Sequence, residues 1–502
     1  MMMTMTAAYM SSMMMMKNKR LQWIVAGAVS LMLQSCAIPF ITSKQADTTL
    51  PTQYQETVAP ASNSASVKWQ DFFEDPNLVS LINTAVNNNK EIQIMAQRIT
   101  VAQNEIQARK GEYLPFVGIG ASADKEKVGK YTRNGAVEEN LDIKEGRSNP
   151  RFLGNYQFGL VASWELDVWK KLRNATKVAV MEYMATIEGK NFLVTNLVAE
   201  VAHAYYELIA LDNELITLDQ NIKIQQNALE VVKQLQQYAR ANSLAVKRFE
   251  AEVQKNQSRQ YVLKQSIVET ENRINYLLGR TPQPITRASA NFMTMQNKVV
   301  ETGVPSELLS NRPDIRQAEL ELSAAKLNID VAKANFYPSF SIRAGLGFQA
   351  FDPKYLLNIP ASILAGFGGE MVAPLINRNA IEAQYKSANA VQIQAAYDYE
   401  QKIINAYMEV ANQIANIDNL DKNYQLKNKQ VEALTQSIDV ANQLFKAARA
   451  DYMEVLLTQR DALDAKMELI ETKQQQVAAV VDLYRSLGGG WQTTETKPTP
   501  NP

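Results

Sequence analysis

Phe336-Tyr337-Pro338-Ser339-Phe340-Ser341-Ile342-Arg343-Ala344-Gly345-Leu346-Gly347-Phe348-Gln349 alternates without a break after its proline. Successive side chains of a strand point to opposite faces. Phe340, Ile342, Ala344, Leu346 and Phe348 therefore share one face, and Ser339, Ser341, Arg343, Gly345, Gly347 and Gln349 the other. A run of roughly 10 residues, apolar on one side and small or polar on the other, suits a tilted strand between lipid and water. A soluble antiparallel sheet with one wet face shows the same alternation, so the run alone leaves both readings open.

Three more runs have this character. Val117, Ile119, Ala121 and Ala123 oppose Gly118, Gly120, Ser122 and Asp124 after Tyr113-Leu114-Pro115-Phe116. Past a charge-rich segment from Lys125 to Arg151, Phe152, Tyr156, Phe158, Leu160, Ala162 and Trp164 oppose Asn155, Gln157, Gly159, Ser163 and Glu165. A loop around Phe351 to Pro360 leads to the fourth run, Ile363 to Leu375. Strands are thus expected at about 116–124, 152–166, 339–349 and 363–375. They fall in two similar halves: Lys110 and Pro115 match Lys333 and Pro338, Ala204-Tyr205-x-Glu207 matches Ala406-Tyr407-x-Glu409, and Leu278-Gly279 matches Leu487-Gly488. Two copies are too few for a solenoid and fit a pseudo-twofold protomer. Four strands cannot close around a channel, and an open edge is not viable in hydrocarbon. Several chains are then required, and three would supply twelve strands, enough for a wet lumen.

Between the strands lie long proline-free stretches with apolar residues at helical spacing, such as Ile403, Ala406, Tyr407, Val410 and Ile414. One helix from Leu172 to Tyr238 would reach about 100 Å, and Asn379 to Phe445 would match it. A single rod from Leu375 to Leu487 would exceed about 160 Å, so the chain must reverse. Turns are expected near Ala241-Asn242-Ser243 and Ala448-Arg449-Ala450-Asp451. A coiled-coil spacer is the plain alternative for the helices taken alone.

The N-terminus has the form of an export signal. Lys17, Lys19 and Arg20 precede an apolar stretch from Leu21 to Leu33, which makes Met16 the expected translation start. The only cysteine, Cys36, follows Leu33-Gln34-Ser35, a spacing that resembles the bacterial lipobox; a stray thiol is the bland alternative. Several acyl chains on Cys36 would make a lasting anchor. Ala37 to about Ser66 is rich in Thr, Ser, Ala, Pro and Gln and reads as an extended linker. With 52 basic and 52 acidic side chains, the chain gives no electrostatic reason to expect nucleic acid. Its single His203 excludes a His-rich metal site, and Gly488-Gly489-Gly490 lacks the Lys-Ser/Thr of a phosphate loop. No enzyme activity and no cofactor are expected.

Several motifs resemble those of the TolC family of outer-membrane factors, above all its lipidated branch serving resistance–nodulation–division pumps. They are Trp69-x-x-Phe72-x-x-Asp75-Pro76-x-Leu78, Trp164-Glu165-Leu166-Asp167, Asn311-Arg312-Pro313-Asp314-Ile315, Tyr452-x-Glu454-Val455-Leu456-x-x-Gln459 and Leu487-Gly488-Gly489-Gly490-Trp491. The resemblance implies an α+β membrane protein: a homotrimeric 12-stranded β-barrel, 4 strands per protomer, continuous with a long periplasmic α-helical barrel. It implies contacts with outer-membrane lipid, a periplasmic adaptor (membrane fusion) protein and an inner-membrane resistance–nodulation–division pump. The chain itself would be a passive gated duct. The expected domains are a signal peptide (1–35), a lipid-anchored linker (36–66), a first repeat (67–281), an equatorial segment (282–312), a second repeat (313–491) and a disordered tail (492–502).

Relatives close the inner tip with Asp rings and Tyr/Arg contacts. At those places this chain has Leu457-Thr458-Gln459 and Leu444-Phe445, so the family's gate residues do not carry over. Charges beside the turns, Arg240, Lys247, Arg449 and Asp451, are the gate candidates, against the alternative that they are merely solvated. A type I protein secretion duct, or a non-pore coiled-coil lipoprotein, remains as a second function; only a pore needs four matched strands.

Overall fold

A computed structural model describes residues 38–54, 62–296, 298–447 and 449–492. The expected signal peptide, Cys36 and all but the first residue of the expected tail lie outside the described residues.

One compact unit comprises residues 38–45 with Ala102–Tyr183 and Glu321–Ala395. It holds an antiparallel sheet of β1 (Phe116–Glu126), β2 (Leu153–Leu166), β3 (Ser339–Ala350) and β4 (Ile363–Val372), in the order β1-β2-β3-β4. The register aligns the apolar positions into rows across all four strands. Ile119 faces Leu160, Leu160 faces Leu346, and Leu346 faces Ala365. Val117-Ala162-Ala344-Phe367 forms the next row. The other face carries Gly120-Gly159-Gly347 and Ser122-Gln157-Gln349, interrupted by Phe116, Val161 and Leu364. The last strand stops at Val372, short of the expected Leu375, because Pro374 has no N–H to give a ladder. The segment between β1 and β2, expected only as polar, contains a short helix, Arg133–Asn140, and a small hairpin.

The second unit comprises Ala46–Val101, Met184–Leu320 and Ala396–Pro502, of which 55–61, 297, 448 and 493–502 are not described. It holds α1 (Pro76–Asn88). Two helices, α2 (Lys90–Tyr113) and α3 (Lys171–Gln237), contribute to both units; α4 (Ser243–Leu277) lies in the second. In the other half α5 (Pro313–Ala334) and α6 (Asn379–Lys446) also contribute to both, and α7 (Tyr452–Ser486) lies in the second. The long helices α3 and α6 have 67 and 68 residues, about 100 Å each. The chain reverses at 238–242 and 447–451. Among the described residues no helix is long and apolar enough to cross a membrane.

The two halves close their hairpins in the same way. Gly279 and Gly488 have φ of +66° and +91°, the left-handed geometry that ends a helix. A Cβ on Gly279 would sit 2.4 Å from the Asn88 carbonyl oxygen, and one on Gly488 2.6 Å from that of Asn311. Each glycine thus seats the end of one helix against the end of another, and no larger residue fits.

The linker expected over 36–66 is not a free tether where it is described. Gln392, fully buried, accepts from the Lys44 backbone N–H (3.0 Å) and donates to the Lys44 carbonyl (2.7 Å). Asn389 donates to the Thr42 carbonyl, Glu400 accepts from the Asp47 N–H, and Tyr54 stacks on Tyr407 with ring centroids 5.5 Å apart. Residues 42–54 form a strap along α6. Its backbone bonds go to helix side chains, so its own sequence needs no period.

Candidate functional site

Among the described residues the distinctive chemistry lies in four places along the chain. The first is the sheet. Its apolar rows are bare: Ile119 is 73% and Phe367 81% exposed. On the opposite face Arg343 pairs with Glu370 at 2.8 Å, and the Gln349 side-chain N–H donates to Asn155 at 2.8 Å. One face thus wants lipid and the other makes polar contacts suited to water.

The second place is where strands meet helices. Trp169 stacks on Tyr337 at 4.6 Å, and its Nε1–H donates to the Pro338 carbonyl at 2.7 Å. Trp164 donates its Nε1–H to the Tyr113 carbonyl at 3.0 Å. Phe336 meets Tyr385 edge to face, and the Arg378 guanidinium lies 4.7 Å above the Phe336 ring. Aromatics with a satisfied polar handle beside apolar strands have the composition of a membrane-interface girdle. The sequence showed these residues but not which of them the fold brings into contact.

The third is a belt in the second unit. Trp69, Phe72, Tyr205 and Tyr484 are buried in one core, with Phe72 stacked on Tyr484 at 3.9 Å. The Tyr205 hydroxyl donates to Asp75 (2.5 Å), which explains the aspartate of the first motif. Arg312, 6% exposed at its side chain, grips Asp314 with two N–H groups (3.0 and 2.8 Å) and Glu409 at 2.7 Å. It also donates to the Ser486 carbonyl at the end of α7 (2.9 Å). In the first half Asn89 makes the equivalent clasp, donating to the Leu277 carbonyl (2.9 Å). Burial alone lowers the Arg312 affinity for its proton, but Asp314 and Glu409 more than offset this and raise it. His203 is paired with Asp482 at 3.1 Å, a packing contact.

Asp212 ties the 283–291 segment to α3. Arg287 meets it at 2.6 and 2.8 Å, and Ser289 donates to it at 2.6 Å. Burial pushes the Asp212 carboxyl up, but these bonds hold it below the usual carboxylate range. A depressed folded pKa stabilises above the unfolded value of about 3.9, and that stability is lost as pH falls through the folded value. The melting temperature is therefore expected to hold from pH 7 to about pH 5 and fall below about pH 4. Asp212→Asn should flatten part of that acid limb; an unchanged limb would remove Asp212 from the explanation.

The fourth is the pair of helix turns. Arg240 and Arg449 lie on the turns and are exposed; Asp451 is exposed at the N-cap of α7 without a side-chain cap bond. Lys247 lies on α4 and pairs locally with Glu250 at 2.8 Å. Among the described residues none of the four pairs with another. The turns are joined instead by an apolar cluster in which Leu229, Val232, Val246 and Phe249 meet Leu456. Leu244, Leu444 and Leu457 stand exposed nearby.

A strand ribbon bare on its apolar face, an aromatic girdle, a packed belt and long helical hairpins define a subunit of an outer-membrane channel. The chain belongs to the outer membrane efflux protein family, whose model matches residues 81–280 and 304–489. It is 28% identical over 465 residues to a pyoverdine export outer membrane protein of Pseudomonas putida, covering 92% of this chain and 96% of that one. It is 26% identical over 435 residues to a cation efflux system protein, CusC, of Escherichia coli, covering 87% and 91%. In fold it is similar to the open state of the Neisseria gonorrhoeae MtrE outer membrane channel, with a TM-score of 0.79 at 22% identity over 92% of this chain and 100% of that one. The family is made of channel proteins rather than enzymes, and the chain is an outer-membrane efflux component.

Proposed function

We propose that three copies of this chain close a twelve-stranded barrel (3 × 4) continuous with a periplasmic helical duct, anchored through acylated Cys36. The inner end engages a periplasmic adaptor and an inner-membrane resistance–nodulation–division pump, and small molecules leave through the passive lumen. The observation that carries this is the sheet: its apolar rows cross all four strands, while β1 and β4 each have one free edge. Such edges cannot persist in hydrocarbon. As β1 and β4 run in opposite directions, the β4 of one copy can pair antiparallel with the β1 of the next. A periplasmic tether has no use for such a sheet. The named relatives serve export of pyoverdine and of cations, which supports reading cargo choice as a property of the pump rather than of the duct.

The reading is tested by single-channel recording with purified protein, alongside electrophoresis before and after heating. Discrete conductance steps and a heat-labile oligomer are expected; a conducting monomer, or an oligomer without conductance even when the turns are altered, would overturn it.

The tip charges Arg240, Lys247, Arg449 and Asp451 are proposed to hold the inner end shut between copies. Two of them sit on the turns and Asp451 caps the next helix with its carboxylate free of a cap bond, which leaves these charges available to a neighbour. Replacing Arg449 and Asp451 by Ala together should raise uptake of a large antibiotic several-fold. Unchanged uptake would assign closure elsewhere.

A further inference from the structure

Phe40 is 93% exposed, in the apolar run Ile38-Pro39-Phe40-Ile41 that begins two residues after Cys36. Its place is set by the strap. Thr42 is held by Asn389, and Asn389 lies ten residues into α6 (389 − 379), about 15 Å from the helix start. Tyr385, one turn earlier, stands about 6 Å nearer the strands and packs on Phe336 of the girdle. Strap and helix run in the same direction, since Thr42 and Lys44 meet Asn389 and Gln392 in that order. Phe40, two residues before Thr42, can therefore stand up to about 7 Å closer to the strands, at the level of Tyr385. Cys36 precedes Thr42 by six residues in the sequence (42 − 36).

We propose that Ile38–Ile41, led by Phe40, is an interfacial wedge that inserts into the periplasmic leaflet beside the acyl chains of Cys36, adding a further aromatic side chain to the girdle. This rests on the reading above that Cys36 is acylated and the sheet spans the membrane. A lipid surface is the occupant because the run is joined at one end to the lipidation site and clamped at the other at girdle depth. Aromatic side chains at that depth partition into the headgroup boundary, and a peptide signal beside an acyl signal strengthens attachment. The wedge also fixes the rotational place of the anchor, since Gln392 holds Lys44 by both backbone groups.

The test uses full-length Phe40→Cys protein in proteoliposomes, labelled with a nitroxide. Acylation of Cys36 leaves position 40 as the only free thiol. Electron paramagnetic resonance should show several-fold greater collision with oxygen than with an aqueous nickel chelate, with the ratio reversed for Ser43→Cys, one residue beyond the Thr42 clamp. Greater access of the nickel chelate at position 40, or exclusion of both reagents as if a second copy covered it, would overturn the wedge. Label count separates the two readings: one label per chain with a water-exposed signal sinks the wedge alone. Two labels per chain show that Cys36 is unacylated and sink the anchor and the wedge together.

Discussion

Arg312→Ala protein is expected to lose about 3–5 kcal/mol of belt stability and to reach the membrane mostly as degraded or unassembled chain. The substitution leaves Asp314 buried without its partner, strips Glu409 of its tie to the residue that precedes α5 and frees the Ser486 carbonyl at the end of α7. Removing one member of a buried ion pair costs far more than the pair is worth, because the remaining charge is dry. Arg312→Lys should recover only part of the loss, since an ammonium cannot present the fork that holds both Asp314 oxygens. The measurement is the melting temperature of the purified oligomer. A loss no larger than that of Lys422→Ala, whose pair with Asp418 is exposed on both sides, would contradict the clasp.

Gly347→Ala is expected to prevent barrel assembly, although it adds one methyl group. The new Cβ would lie 2.4 Å from the Phe158 carbonyl oxygen, and a Cβ on Gly159 would lie 2.5 Å from the Gly347 Cα. The two strands approach closely at this row, as glycines permit. Backbone cannot retreat as a flexible side chain can, so the cost is roughly 3 kcal/mol in each copy and is repeated around the ring. Gly345→Ala makes the comparison fair: it lies on the same face, and its nearest neighbour would be 3.7 Å from the added carbon. Heat-labile oligomer yield should collapse for the first variant and persist for the second. Equal yields would mean that the close approach at this row does not limit assembly.

The strands were legible because a period of two admits few errors. Shifting the register by one residue would move Leu346 and Phe348 onto the polar face, and Pro115 and Pro338 mark where two of the runs begin. The fourth strand overran because its apolar character continues past the point where Pro374 ends the ladder. The turns were placed within a few residues. Their exact start was hidden because Ala239 takes the left-handed conformation (φ +56°) that a glycine would have announced. The strap was unreadable, since its partners are single side chains on α6, nearly 350 residues further along. Arg312 stood out as a motif, but its bonds to Glu409 and Ser486 depend on helices that only the fold brings together. The tip charges were visible as candidates, and the apolar cluster joining Phe249 to Leu456 beneath them was not.

The central claim is that a four-stranded protomer becomes a channel only by closing with its copies. Native mass measurement of the protein extracted from outer membranes in mild detergent tests it most directly. Three chains of the mature form of this 56.2 kDa polypeptide are predicted, with strand content intact. A folded, strand-containing monomer in the same detergent would contradict it.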